Sequence, residues 1–458
     1  MSFFWDLNQA EPTAVALVDQ QEGAISYAEL IQRVQACLQQ LPSHRSLLAL
    51  CMDTDLHSVC WYLAALQAGH PIILLDTSLD ADLLETLVAT YQPNILLRGS
   101  ELRVQHQVQL ALHPDLALLL STSGTTGSPK LVRLSRQNLQ SNASAIVDYL
   151  QLNAAETAIT TMPLHYSYGL SILNSHLQAG ATLVLTNHGL LSREFWQLVQ
   201  QHQVSSLSGV PYIWQMLRKM RYERFKTDSV RYVTQAGGRL DHDSLLYFHQ
   251  QTQAKHQQFI VMYGQTEATA RIAYLPPELL AEKTGSIGRA IPGGKLWVRL
   301  ADGQLTDQPD IEGELIYQGP NVMLGYAESL AELALGDQCH GQLATGDIGY
   351  CDQDGCFYIT GRAKRFIKMF GLRISLDTVD EVLARRGLDA TSTGRDDQLM
   401  IFISDKAAME PAALATELSA LFKINVNAIA VHQIAAIPRS SNGKVDGQAI
   451  KALMAQYE

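Results

Sequence analysis

The sequence contains no apolar run close to the ~20 residues that a membrane-spanning helix needs, and its start, Met1-Ser2-Phe3-Phe4-Trp5-Asp6, has neither the basic patch nor the long apolar core of a secretory signal. The two absences together lead to the expectation of a cytoplasmic protein. Positive charge is also scarce: 34 Lys and Arg stand against 45 Asp and Glu, for a formal net charge of -11. That balance argues against a nucleic-acid partner and means that any anionic ligand must meet a local cluster of cations rather than a basic surface. The six cysteines, at 37, 51, 60, 339, 351 and 356, form no Cys-x-x-Cys pair. The weak zinc pattern of Cys351, Cys356 and His340 is set aside in favour of reduced core or surface thiols. No period of 20–50 residues repeats and no low-complexity tract appears, which excludes repeat arrays. What remains is a chain of 458 residues, 47% apolar, long enough for two or three domains with a large core.

One stretch stands out. The apolar run Leu116–Leu120 reads as a buried strand, and it empties into Ser121-Thr122-Ser123-Gly124-Thr125-Thr126-Gly127-Ser128-Pro129-Lys130. Glycines let the backbone come close to an anion, while hydroxyls and a lysine supply donors and charge. A surface loop of this composition is the plain alternative, but hydroxyls, two glycines and a lysine directly after a buried strand favour a phosphate cradle. The loop is not a Walker A motif, because Pro129 stands between the second glycine and the lysine.

Around that loop, strands and helices alternate. Apolar segments at 47–52, 71–75 and 94–97 read as strands, with helices over 57–69 and 76–91 between them. Ser26 followed by Glu29 predicts a capped helix start, and a further helix is expected from about Gln137 to Leu150. This order predicts an α/β fold with a parallel sheet covered by helices on both faces.

Two later strands end in unusual chemistry. Arg231–Gln235 runs into Ala236-Gly237-Gly238, and Phe259–Tyr263 runs into Gly264-Gln265-Thr266-Glu267. The second delivers an aromatic ring able to stack a purine, a glycine, a hydroxyl donor, and a carboxylate able to hold Mg²⁺ against phosphates.

Residues 122–130 match T-S-G-T-T-G-x-P-K at every fixed position, and with Tyr-Gly-x-Thr-Glu following in order the chain resembles the adenylate-forming superfamily, the AMP-dependent synthetases and ligases. That superfamily includes acyl- and aryl-CoA synthetases, adenylation domains of nonribosomal peptide synthetases, and firefly luciferase. The resemblance runs from about residue 13 to 447 and implies a large N-terminal domain of stacked αβ subdomains plus a β-rich subdomain (1–361), and a small mobile α+β lid (362–458) with its hinge at Lys364. It implies ATP phosphates on Thr122, Ser123, Gly124, Thr125, Thr126, Gly127 and Lys130, and Mg²⁺ on Glu267 with Thr266 placing the α-phosphate. Adenine falls to Ala236, Gly237, Gly238, Tyr263 and Gly264, and the ribose to Asp347 and Arg362. Lys444, in Pro438-Arg439-Ser440-Ser441-Asn442-Gly443-Lys444, is implied as the catalytic lysine, and Gly371 as part of a pantetheine tunnel. An acid pocket is implied at His165, Tyr166, Tyr168, Gly169, Gln235 and Met262. The segments 285–293 and 313–326 read mainly as scaffold.

The chain departs from the family pattern at Leu131, where glycine is usual, at Ser135-Arg136, near a usual histidine, and at Leu376, in place of a glutamate. Members that activate amino acids carry an aspartate where this chain has Tyr166. A buried ammonium without a carboxylate partner is costly, so an ordinary α-amino acid is not expected; Tyr166, Tyr168 and Met262 suggest an apolar or aromatic acid of modest size. The implied reaction is ATP-dependent: a small carboxylic acid becomes an acyl-adenylate with release of pyrophosphate, then passes to the thiol of coenzyme A or of carrier-protein phosphopantetheine. Transfer to an amine, and a non-catalytic nucleotide-binding relative, are the alternatives. The chain ends at Glu458 with no carrier domain expected within it, so an acyl or aryl carrier protein would be a separate partner.

Overall fold

The computed structural model describes residues 3–99, 101–121, 130–363, 365–369, 372–405, 409–439 and 444–457. Strands and helices alternate as expected, and the strands divide between two large sheets, in keeping with stacked αβ subdomains. In the seven-stranded sheet, Leu48–Met52 lies between Ile72–Asp76 and Ile95–Arg98, all parallel, and Leu116–Ser121 runs parallel beside Ile72–Asp76. All five residues of Leu48–Met52 are buried, as a strand covered on both faces must be. Leu131–Ser135 then returns antiparallel beside Leu116–Ser121, so the strands on either side of the glycine-rich loop are neighbours, with Ser121 opposite Leu131. Gly325–Ala327 closes that edge by pairing with Leu131–Arg133.

The second sheet has fourteen strands. Thr182–Val184, Thr157–Ile159, Ser206–Gly209, Tyr232–Gln235 and Gln258–Tyr263 form its parallel centre. From there it continues antiparallel through Ala273–Leu275 and Ser286–Ala290 into Phe357–Arg362, Gln342–Cys351, Gly313–Gln318 and Lys295–Arg299. Helices Arg136–Leu150 and Ser167–Gln178 pack against each other.

Local signals explain the element boundaries. Ser26 and Glu29 form the predicted capping box at the start of Tyr27–Leu38. Ser135 caps Arg136–Leu150 in the same reciprocal way with Asn138, so the departure at Ser135-Arg136 works as a helix start. The helix expected from residue 76 begins only at Ala81, because Asp76 turns the chain by accepting from the backbone and hydroxyl of Ser78 before Asp80 caps the helix.

Beyond residue 365, Phe366–Met369 pairs with Leu372–Ser375, and Ala390–Arg395, Gln398–Ser404 and Ile429–Ile434 form a three-stranded sheet. These strands and the helices Leu376–Arg385 and Pro411–Phe422 share an apolar cluster of their own that includes Ile367, Val379, Leu399, Ile401, Leu414 and Leu418. All six cysteines are free thiols, five of them buried and Cys339 half-buried. Among the described residues, no helix is long and apolar enough to cross a membrane.

Candidate active site

Tyr232–Gln235 and Gln258–Tyr263 are parallel neighbours, with Gln235 opposite Val261, so Ala236–Gly238 and Gly264–Glu267 emerge from the same edge of the sheet. In open α/β sheets the carboxyl ends of parallel strands are where ligands settle. Gly237 takes φ +85°, and a Cβ there would lie 3.2 Å from the Tyr166 hydroxyl and 3.9 Å from Cε of Lys444. Gln235 is buried, and its amide donates to the Gly238 carbonyl at 2.6 Å, bracing the turn. Gly264 has a different reason to be glycine: a Cβ would meet the Ala270 carbonyl at 1.8 Å, so the space beside it belongs to the protein's own backbone.

The Tyr263 hydroxyl donates to the Asp347 carboxylate. Gln265 donates to the same carboxylate at 3.1 Å and to the Thr345 carbonyl at 2.9 Å. Arg362, directly opposite Asp347 in the antiparallel register, brings its Nε to 3.3 Å from Oδ1. Burial pushes the Asp347 carboxyl above its ordinary range, while Arg362 and the donated hydrogen bonds pull it back. Burial and the adjacent Asp347 hold the Tyr263 phenol well above its own range. The ring expected to stack a purine is thus anchored at its far end by the carboxylate expected to meet the ribose.

Glu267 lies in the short turn Thr266–Ala268, and its Oε1 accepts from the Tyr326 hydroxyl at 2.8 Å. The Tyr326 ring in turn carries the Lys130 ammonium 3.8 Å from its centroid. The Thr266 hydroxyl is 3.2 Å from that of Ser167. The segment 313–326, read from sequence as scaffold, therefore also fixes Glu267, and Tyr326 is a site residue that the sequence reading missed. Thr122, Ser123, Gly124, Thr125, Thr126 and Gly127, together with Lys364 and Gly371, lie outside the described residues.

Lys444 reaches this place from the far end of the chain, with its ammonium 5.9 Å from the Tyr166 ring centroid. Burial lowers its pKa, Arg362 adds to the effect, and Glu267 and Asp347 oppose it.

The candidate acid pocket is more polar than its sequence suggested. Tyr166 and Tyr168 meet edge to face with centroids 6.5 Å apart. The Tyr168 hydroxyl lies 2.9 Å from that of Thr234, and burial pushes the Tyr166 phenol up to about 12. Met262 is buried and accepts from the Tyr149 hydroxyl at 2.9 Å. Gly169 is buried in the helix Ser167–Gln178. His165 turns to Asp76, with Nε2 3.4 Å from Oδ2, and burial lowers its pKa. Arg271, absent from the sequence reading, stacks over Tyr168 with its guanidinium carbon 4.1 Å from the ring centroid. A single charge in the otherwise apolar stretch Ala270–Ala273 was the available signal.

Residues 100–327 match the AMP-binding enzyme family. The chain is 30% identical over 347 residues to a 2-succinylbenzoate–CoA ligase of Bacillus pumilus, covering 73% of this chain and 68% of that protein. It is 32% identical over 286 residues to an oxalate–CoA ligase of Arabidopsis thaliana, where the match spans 61% of this chain but only about half, 54%, of the relative. The solved structure of an O-succinylbenzoate coenzyme A synthetase of Bacillus subtilis in complex with AMP superimposes with a TM-score of 0.83 at 23% identity, covering 98% of both chains; at that identity the likeness speaks for the fold alone.

Proposed function

The chain belongs to the AMP-binding enzyme family of adenylate-forming enzymes, and from that premise we propose that it joins a small carboxylic acid to a thiol in two ATP-dependent steps at the site formed by Lys444, Tyr166, Glu267, Asp347 and Arg362. In the first, a carboxylate oxygen attacks the α-phosphorus of ATP in line, the bond from that phosphorus to the bridging oxygen breaks, and pyrophosphate leaves with the electron pair. Lys444 lies between the two anions and offsets their repulsion in the pentavalent transition state. Residues 122–130 take the β- and γ-phosphates, Thr266 helps to place the α-phosphate, Asp347 accepts from the ribose hydroxyls, and Arg362 borders them. Tyr263 and the backbone of 236–238 hold adenine. The donor set fits a divalent cation: Glu267 is oriented through Oε1, and Oε2 takes no hydrogen bond among the described residues. When bound there, Mg²⁺ supplies charge neutralisation to the phosphates.

In the second step the lid, residues 362–458, turns about Lys364 and withdraws Lys444. A thiol arriving beside Gly371 attacks the acyl carbon, loses its proton, and expels AMP through cleavage of the bond to the phosphate oxygen. Coenzyme A is the acceptor favoured by the two relatives named as CoA ligases. A carrier-protein phosphopantetheine presents the same arm and is the alternative to be tested beside it. The cytoplasm, which supplies ATP and reduced thiol, is the compartment this reading requires. An ordinary α-amino acid is still not the expected substrate: Tyr166 offers an ammonium no carboxylate, and Arg271 adds a like charge nearby.

The observation that carries this reading is the position of Lys444, a residue near the end of the chain, against Tyr166 and in the field of Arg362, Glu267 and Asp347. Acid-dependent ATP–pyrophosphate exchange without acceptor tests it, across aryl, short-chain, long-chain, dicarboxylic and amino acids. Exchange with at least one acid is expected. Silence across the panel from protein that binds ATP would overturn it.

A further inference from the structure

Arg271 begins the return of the chain from the turn carrying Glu267 and directly precedes Ile272, whose amide is bonded to the Tyr263 carbonyl. The residue is 3% exposed. Its backbone carbonyl accepts from the amides of Asn142 and Asn321, which locks its place in the fold. The side chain has far less company, the Tyr149 phenol being the one polar side chain that hydrogen-bonds to it among the described residues. Nε is buried and has no hydrogen-bond partner, and no carboxylate pairs with the guanidinium among the described residues. Its surroundings are phenols: the Tyr168 ring at 4.1 Å, and Tyr149 and Tyr166 within its electrostatic reach. A cation over an aromatic face recovers part of the cost of leaving water. It does not satisfy a fork of five N–H donors, and a buried charge without counter-ion is among the most expensive features a core can hold.

The same residue belongs to the candidate acid pocket. Tyr168, on which it stacks, meets Tyr166 edge to face, and Tyr166 faces Lys444. Lys444 stands by the Tyr166 ring and Arg271 on the Tyr168 ring, so two cations border the tyrosine pair. Lys444 serves the reacting carboxylate; the second cation awaits a second anion.

We propose that Arg271 is the specificity residue of this pocket, and that the acid adenylated here carries a second anionic group, a carboxylate or sulfonate, which the guanidinium takes beside Tyr168. A planar guanidinium suits a planar or trigonal oxyanion through paired N–H donors. Because the fold already holds the cation desolvated, binding the anion repairs an existing deficit instead of creating a new one. The inference rests on the adenylation reading and narrows its substrate from an apolar acid to a dianionic one.

The test is acid-dependent pyrophosphate exchange on linear and aryl dicarboxylic acids, each paired with its monomethyl ester, with wild type, Arg271→Met and Arg271→Lys. Wild type is expected to favour a diacid over its half ester by roughly 10²-fold or more in kcat/KM, since a site built around a charged partner discriminates strongly against its neutral analogue. Arg271→Met should erase that preference, its kcat/KM for the diacid falling to the level of the half ester, and Arg271→Lys should retain part of it. The wild-type comparison needs no variant and decides the matter even if Arg271→Met does not fold. Exchange with half esters in preference to diacids, or equal loss on both by a folded, ATP-binding Arg271→Met, overturns the role of Arg271 and leaves adenylation standing. Absence of exchange with every acid overturns the adenylation reading, and this proposal with it.

Discussion

Tyr326 donates its phenolic hydrogen to Glu267 at 2.8 Å while its ring supports the Lys130 ammonium at 3.8 Å. One side chain thus positions both the carboxylate proposed to hold Mg²⁺ and the lysine that ends the glycine-rich loop. Tyr326→Phe keeps the ring and removes the hydrogen bond. The Mg²⁺ concentration for half-maximal pyrophosphate exchange should rise by about three- to tenfold, the effect of a lost hydrogen bond to a charged group, with the rate at saturating Mg²⁺ changed less. An unaltered Mg²⁺ requirement would remove Tyr326 from the site.

Lys444→Ala should cut acyl-adenylate formation by at least roughly 10²-fold and leave thioester formation from pre-made acyl-adenylate much less affected. Equal loss in both half-reactions contradicts the withdrawal of Lys444 by the lid.

The lysine's titration gives a second, independent expectation. Burial and Arg362 depress its pKa below the ordinary 10.5. The ammonium is the active form, so exchange should decline as pH rises through a value below 10.5. Lys444→Arg, whose guanidinium does not titrate in this range, should lose that alkaline limb in whatever activity it keeps.

Asp347 links function to stability with the opposite sign. Its carboxyl is raised by burial from the ordinary 3.8. Below 3.8 the folded and unfolded forms are both protonated and burial carries no ionic cost. As pH rises, the unfolded carboxyl ionises first, stability falls, and the full cost is present above the folded value. Asp347→Asn should therefore raise the thermal midpoint at pH 7 by about 1–3 °C, an advantage that shrinks as pH falls towards 3.8. The same variant should weaken ATP binding. Scanning calorimetry at several pH values together with nucleotide titration checks both halves.

Arg239 and Glu381 join the two proposed domains, with Nη1 2.9 Å from Oε2. Both are partly exposed, and such a pair contributes about 0.2–1 kcal/mol. That is too little to hold the fold but enough to bias a hinge. Arg239→Ala should slow pyrophosphate exchange by about two- to fivefold at low salt, with a smaller effect at high salt, and should not slow acyl transfer from pre-made acyl-adenylate. A loss shared by both steps would show that the pair does not set the domain balance.

What the sequence made legible was what depends on nearby residues. Ser26 and Glu29 announced a helix start, and the strand ending at Tyr263 announced a change from apolar to polar chemistry, because each signal lies within a few residues of its effect. The roles of Tyr326 and Arg271 depend on register. Tyr326 reaches Glu267 because Gly325–Ala327 pairs with Leu131–Arg133 across the edge of a sheet. Arg271 enters the tyrosine cluster because the chain folds back antiparallel to Gln258–Tyr263. His165, expected at the acid pocket, has Asp76 as a partner at the end of another strand, a contact that local sequence does not show. Alternation of strand and helix gives their kind and order but not which become neighbours, so the division into stacked sheets came from the family resemblance and not from the pattern.

The burial of the thiols has a practical outcome. Desolvation raises the pKa of all six, to about 11 at Cys37 and about 12 at Cys60, and the thiolate is the form that alkylating reagents attack. At neutral pH the native chain should therefore be nearly silent to maleimides. Cysteines introduced in place of the exposed Val108 and Leu421 would be the first to react, so a dye pair fixed there can follow the opening and closing of the lid on single molecules without first stripping the protein of its own sulfur.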